Sequence, residues 1–194
     1  TLKPSTSYKY KIYVMDSAGN VYSSATSSFT TKSAPSSQTG TSGTKRLGYT
    51  ASKITAIGPQ PSGSVYCSVY AISYARAVAG KTPYSNPYAY WTKDGAKWSL
   101  GGMTSTKYAT QQSGLKKLYS EIQAGRPAIA FVYGPGASQH YVTVIGYKDV
   151  TNANNLKMSN FIILDPGSAS EKSMGAYTGL KMTTGNKGYQ IVVF

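Results

Sequence analysis

Gln139-His140-Tyr141-Val142-Thr143-Val144-Ile145-Gly146-Tyr147 is the stretch on which the reading of the chain turns. Residues 140–147 read as an apolar strand, and it opens on the chain's single histidine. After it, Phe161-Ile162-Ile163-Leu164-Asp165-Pro166-Gly167 is a second apolar run, a strand over 160–165 that stops on a carboxylate. Well before both, Ser64-Val65-Tyr66-Cys67-Ser68-Val69-Tyr70-Ala71 holds the single cysteine. One thiol, one imidazole and one strand-ending acid are the parts of a cysteine nucleophile system.

Ordinary strand geometry lets the three meet. If 140–147 and 160–165 are antiparallel neighbours, the start of one lies beside the end of the other. Alternation puts His140 on a face with Val142, Val144 and Gly146, and Asp165 on a face with Ile163 and Phe161. Val65, Val69, Ile72, Tyr74, Ala75, Val78 and Ala79 form the apolar side of a helix from Ser64, its N-cap, to Gly80, its C′ residue. That helix, packed on the His/Asp face, would bring Cys67 in its first turn to His140. A helix N-terminus and a neighbouring imidazolium both favour the thiolate, which is the nucleophile. His140 would hold the ion pair and protonate the leaving amine, with Asp165 fixing the imidazole tautomer. Gln60, the only amide side chain of the loop 58–64, could serve an oxyanion together with the Cys67 N–H.

Each residue alone has a plainer use. A lone cysteine in an apolar helix is more often a buried small hydrophobe, and an Asp-Pro-Gly after a strand is ordinarily a turn. It is their order and their positions at element ends that agree.

The rest of the chain falls into three parts. Residues 1–34 read as β: Tyr8 to Asp16 alternates at period two, Ser17-Ala18-Gly19-Asn20 has turn chemistry, and Ser24 to Thr31 is an edge-like strand. Residues 35–46 read as a Ser/Thr/Gly-rich linker. From 47 to 194 the pattern is α+β, helices first and antiparallel strands afterwards. A second helix is expected over Ser113–Ala124, with Leu115, Leu118, Tyr119 and Ile122 on one face. A strand Ala128–Tyr133, a Gly134-Pro135-Gly136 turn and a final strand 189–194 complete it. Residues 81–110 read only as loops with aromatic anchors, and their Tyr-rich part, 84–108, is a candidate wall of a cleft.

Composition narrows the chemistry. The 194 residues, 40% hydrophobic with 18 Tyr, are ample for a globular core. No apolar run approaches the roughly 18 residues of a membrane span. One His, one Cys and scattered carboxylates give no ligand pair at zinc spacing, and no cofactor motif is present. Of six acidic residues only Asp165 ends an apolar strand, which leaves a two-carboxylate glycosidase without its second group. The net charge of +14 arises from 20 Lys+Arg against 6 Asp+Glu, the basic residues spread singly apart from the adjacent pairs Lys45-Arg46 and Lys116-Lys117. Such a field suits an anionic cell-wall polymer or membrane surface rather than nucleic acid, whose readers cluster their basic residues. Because it begins on Thr1, the chain is expected to be a fragment or processed product, and a missing signal peptide carries no information.

Two resemblances follow from quoted motifs. Leu2-x-Pro4-x-Thr6-x-Tyr8 and Asp16-x-Ala18-Gly19-Asn20 resemble the tyrosine corner and following turn of a fibronectin type III module, of which only the C-terminal strands would be present. Gly125-Arg126-Pro127-Ala128-Ile129-Ala130, the His140 strand and Leu164-Asp165-Pro166-Gly167 resemble papain-like C39-type cysteine peptidases, over about residues 50–194. That resemblance implies a papain-like fold with Cys67 as nucleophile, His140 as base and acid, and Asp165 as orienter. The chain departs from it where Ser68-Val69 follow Cys67, instead of the Cys-Gly of many members, and where Gln60 lies further from the cysteine. The expectation is a secreted or cell-wall-associated bacterial cysteine peptidase acting on a peptide or protein, with peptidoglycan peptides as one candidate substrate. A non-catalytic papain-like binding module and a thiol-dependent acyl transferase are the alternatives.

Overall fold

The structure, a computed structural model, describes residues 3, 6–31, 43–83, 86–92, 100–134, 138–183 and 188–194. Two units are distinguished, Thr1–Thr39 and Gly40–Phe194.

In the first unit β1 (Ser7–Tyr10) pairs with β4 (Ser27–Thr30), and β2 (Tyr13–Met15) pairs with β3 (Val21–Ser23), all antiparallel. The run expected as one strand from Tyr8 to Asp16 is interrupted at Lys11 and Ile12. There the Ile12 N–H turns aside to Ser24 Oγ at 3.1 Å. The turn after β2 is built on Asp16, whose Oδ1 accepts from the N–H groups of Ala18 and Asn20, with Gly19 at φ +88°. Tyr8 Oη accepts from the Lys3 N–H at 2.7 Å. Ile12, Tyr13, Val14, Met15, Val21 and Tyr22 are each more than half exposed. Strands this few have no opposite layer in which to bury them.

The second unit is α+β. Its helices are α1 (Ala51–Ile57), α2 (Cys67–Val78), the single-turn α3 (Ala89–Thr92) and α4 (Gln111–Gln123). Its strands are β5 (Gly43–Arg46), β6 (Thr104–Tyr108), β7 (Ala128–Tyr133), β8 (Gln139–Val150), β9 (Phe161–Asp165), β10 (Ser170–Ser173), β11 (Met182–Thr183) and β12 (Gly188–Val193). These form one antiparallel sheet in the order β10-β9-β8-β7-β12-β11, with β5 also on β8 and β6 also on β12.

Several boundaries differ from the sequence reading for local reasons. β8 runs three residues past Tyr147 because β5, the end of the expected linker, pairs with residues 146–150. Residues 35–42 of that linker and residues 135 and 136 of the expected turn lie outside the described residues. Ser64 does not cap α2: its N–H closes a turn onto Pro61 O, and Tyr66 is the N-cap. Val65 is therefore 77% exposed instead of lying on the helix's apolar face. Gly80 does follow the helix in the left-handed region, at φ +71°. α4 starts two residues earlier than expected because Thr110 and Ser113 form a reciprocal capping box.

The sheet is buried on both faces. Val142, Val144, Ile163, Phe161 and Ala130 pack with Leu115, Leu118 and Ile122 of α4. On the other face Ile129 and Val192 meet Val69, Ile72 and Ala75 of α2, while Ile145 and Leu164 meet Tyr74 and Ile54. The Thr143 hydroxyl donates to Ala71 O at 2.8 Å, a buried bond that ties α2 to β8. α2 thus lies on the face of Thr143 and Ile145, and the face of Val142 and Val144 belongs to α4. This reverses the expected side, and it shifts the meeting of Cys67 and His140 to the end of the sheet.

Gly146 sits where β5 crosses closest to β8. A Cβ there would lie 2.7 Å from Lys45 O and 3.1 Å from Arg46 Cα, both backbone atoms. Gly146→Ala is expected to displace β5 and to cost about 1–3 kcal/mol. The Leu47 amide, bonded to Ile145 O at 2.8 Å, should then exchange its hydrogen much faster while the β7 amides stay protected. Unchanged exchange at Leu47 would contradict the close approach.

Candidate active site

The site forms where β8 begins, β9 ends and α2 starts. His140 is the second residue of β8, Asp165 the last of β9 and Cys67 the first of α2. The pairing of Thr143 with Leu164 and Val144 with Ile163 sets the register that brings the imidazole to the carboxylate. His140 Nε2 lies 2.8 Å from Asp165 Oδ1. With Nε2 so engaged, Nδ1 is the nitrogen left for Cys67, which lies near enough for its charge to favour the imidazolium. Cys67 is buried and unpaired by any disulfide, and it stands where helix N–H groups lack intrahelical acceptors.

Asp165 is held on both oxygens. Oδ1 also accepts from the Gly167 N–H at 2.8 Å, inside the Asp-Pro-Gly turn. Oδ2 accepts from Lys172 Nζ at 2.6 Å and from Tyr177 Oη at 3.1 Å. Burial alone would raise the pKa of this carboxyl. The bonds from His140, Lys172 and the Gly167 N–H outweigh it and hold the group well below the ordinary range. For His140 burial works to lower the pKa, but the bonds to Asp165 and Cys67 and their charges carry it up to about 9. Tyr177, stacked on the imidazole at 5.8 Å, is raised by burial and then by the Asp165 charge. Tyr141, next to His140 on the α2 face, is pushed up to about 12 by burial and by the charge of Cys67.

Gln60 is placed differently from the other three. Its Nε2 bonds back to Ser64 O at 3.3 Å, and its Oε1 is buried without a hydrogen-bond partner among the described residues. The backbone N–H of Gln60 donates to Pro166 O at 2.8 Å, so the loop before the nucleophile is tied to the turn after the acid. Of the aromatic segment 84–108, residues 84, 85 and 93–99 lie outside the described residues. Tyr88 is set edge-on to Tyr66 and to Tyr70, beside Cys67, while Tyr90 is wholly buried.

Lys172 and Tyr177 escaped the sequence reading. β10 pairs Ser170 with Asp165 and Lys172 with Ile163, so Lys172 is a diagonal same-face neighbour of the acid. A tight hairpin after Asp-Pro-Gly would have suggested it. Tyr177 follows a single 3-10 turn, Met174–Ala176, and had no such signal. Among the described residues no group of three or more His, Cys, Asp or Glu side chains could hold a metal ion.

A model of the Peptidase_C39 like family matches residues 52–192. The chain belongs to that family. Nothing matches it among curated proteins or among solved structures. Membership in the Peptidase_C39 like family points to a cysteine peptidase, a hydrolase with a peptide substrate, and Cys67, His140 and Asp165 all lie within the matched span.

The raised His140 pKa has a signed consequence for this Peptidase_C39-like domain. An imidazole at about 9 when folded, against 6.5 ordinarily, contributes stability that is fully present below about pH 6.5. That contribution is lost as the pH rises from there through about 9. The denaturant midpoint should fall across this window in the wild type and fall less in His140→Ala. Parallel curves for the two proteins would mean that the imidazole is not coupled to the fold.

Proposed function

We propose that the chain is a papain-like cysteine peptidase that cleaves a peptide or amide bond through a Cys67 thioester. The observation that supports this reading is the His140 imidazole bonded to the Asp165 carboxylate at 2.8 Å through Nε2, with Cys67 as the first residue of α2.

The reacting form has Cys67 as the thiolate and His140 as the imidazolium. The sulfur attacks the substrate carbonyl carbon, an S–C bond forms, and the carbonyl electrons move onto oxygen. The Cys67 N–H at the start of α2 faces that oxyanion, and Gln60 would join it only after turning Nε2 away from Ser64. As the C–N bond breaks, His140 Nδ1 gives its proton to the leaving amine. The neutral imidazole then takes a proton from water, hydroxide attacks the thioester, and the acid leaves with the thiolate–imidazolium pair restored. Throughout, Asp165 keeps the Nε2 proton in place and fixes the ring.

The cavity beside His140, of about 300 Å³, is lined by Asp165, Lys172 and Tyr177 among others, so it borders the carboxylate side of the imidazole. For the substrate we favour peptides of an anionic cell wall, and for the location secretion to that wall. The charge of +14 supports both. So does a fibronectin type III-like spacer, for which the Tyr8 Oη bond to the Lys3 N–H is the supporting contact.

Cys67→Ala and His140→Ala should abolish peptide turnover without loss of fold, and Asp165→Asn should lower kcat by about 10²–10⁴-fold. Iodoacetamide should alkylate Cys67 readily at acidic pH, and His140→Ala should remove that reactivity. Full turnover by Cys67→Ala would end the proposal. An unreactive thiol with no turnover is the outcome expected of a binding module. A peptide–amine adduct formed when an amine is added would mark acyl transfer.

A further inference from the structure

Asp165 has more partners than the orientation of one imidazole requires. Its Oδ1 already accepts from His140 and from the Gly167 N–H. Its Oδ2, on the far side, is met by Lys172 Nζ at 2.6 Å and Tyr177 Oη at 3.1 Å. The Asp165 side chain is 5% exposed, whereas that of Lys172 is 43% exposed. The cation therefore reaches in from solvent to touch a buried carboxylate. It is held there by the β9–β10 register, which sets Lys172 opposite Ile163 and one same-face step from Asp165.

The contacts place imidazole, carboxylate and ammonium in a row, and in the proposed reaction the Cys67 thiolate stands at the other end, so that the charges alternate. Without the ammonium, the imidazolium would stand between two anions that both hold its protons. A general acid held too strongly is slow to deliver.

We propose that Lys172 is a positioning residue for the reaction, acting through Asp165 Oδ2 to limit how firmly the carboxylate retains the imidazolium and to keep it able to protonate the leaving amine. This rests on the reading of Cys67 and His140 as the reacting pair.

The groups that face the imidazole or its carboxylate from the packed elements are few. α2 contributes Cys67, and also Tyr74, whose hydroxyl donates to Gly58 O at 2.6 Å and is raised in pKa by burial. β8 contributes Tyr141, whose hydroxyl is committed to Gln190 Oε1 at 2.8 Å. The segment after β10 contributes Tyr177, which donates to Oδ2 as a neutral hydroxyl. Lys172 adds a second positive group to the acid beside His140, so its removal takes one positive charge from Oδ2 and leaves the Gly167 N–H and Tyr177 hydroxyl as donors.

The chain has one histidine, so its ring Cε1–H resonance is a single, unambiguous NMR signal. The experiment is a pH titration of that signal in the full chain, for the wild type, Lys172→Met and Lys172→Arg. Lys172→Met should move the midpoint upward by about half to one pH unit, the effect of a charge several ångströms away at a partly solvated site. Lys172→Arg, which keeps the charge, should return it to the wild-type position. No shift in Lys172→Met, a downward shift, or an equal shift in both variants would overturn the proposal. Failure of the peptidase reading shows elsewhere, as turnover retained in Cys67→Ala, and leaves this titration interpretable by itself.

Discussion

β8 is paired along both edges, and this double pairing is the constraint on which the rest of the second unit depends. β7 and β5 share one edge, and β9 takes the other. The strand's two faces are divided in the same way, Val142 and Val144 toward α4 and Thr143 and Ile145 toward α2. Every layer of the domain is therefore referred to one strand. A slip of one residue would exchange the two faces and part His140 from Asp165 together. Register at β8–β9 is at once the condition for the core and for the site.

The electrostatics of the site follow from that geometry. Burial opposes charge on both His140 and Asp165, and their neighbours favour the charged forms. The pair is sustained by hydrogen bonds that satisfy each carboxylate oxygen twice, the condition under which a buried ion pair is tolerable. The distribution of donors is instructive. Gly167 belongs to the acid's own turn, Lys172 to the adjoining strand and Tyr177 to the segment beyond, so one short stretch of chain folds back to complete the residue that begins it.

Much of this was legible in the residues, and the parts that were not have physical reasons. The convergence of Cys67, His140 and Asp165 could be argued because each occupies the end of an element, and element ends meet by topology more than by side-chain detail. The face of the helix was misjudged because alternation describes strand interiors. A residue at the first turn of a helix can reach around the end of a sheet whose opposite face its helix covers. β5 was hidden in a Ser/Thr/Gly-rich stretch whose composition says linker, since its pairing rests on backbone groups and on the absence of a Cβ at Gly146. α1 and β6 carry too few buried side chains to give a periodic signal; Ile54 is the one buried residue of α1. Lys172 and the confinement of the Gln60 amide by Ser64 both depend on turn geometry, which a pattern of hydrophobicity does not record.

The bond from the Gln60 N–H to Pro166 O joins the loop before the nucleophile to the turn after the acid, across most of the domain's sequence. Contacts of such separation form late in folding, because the intervening chain must first be closed at an entropic cost. Cys67 and Asp165 can share one site only after β7, β8 and β9 have paired between them. A chain still being synthesised, or only partly folded, would carry its thiol without its partners. The topology thus makes assembly of this cluster of side chains a product of complete folding.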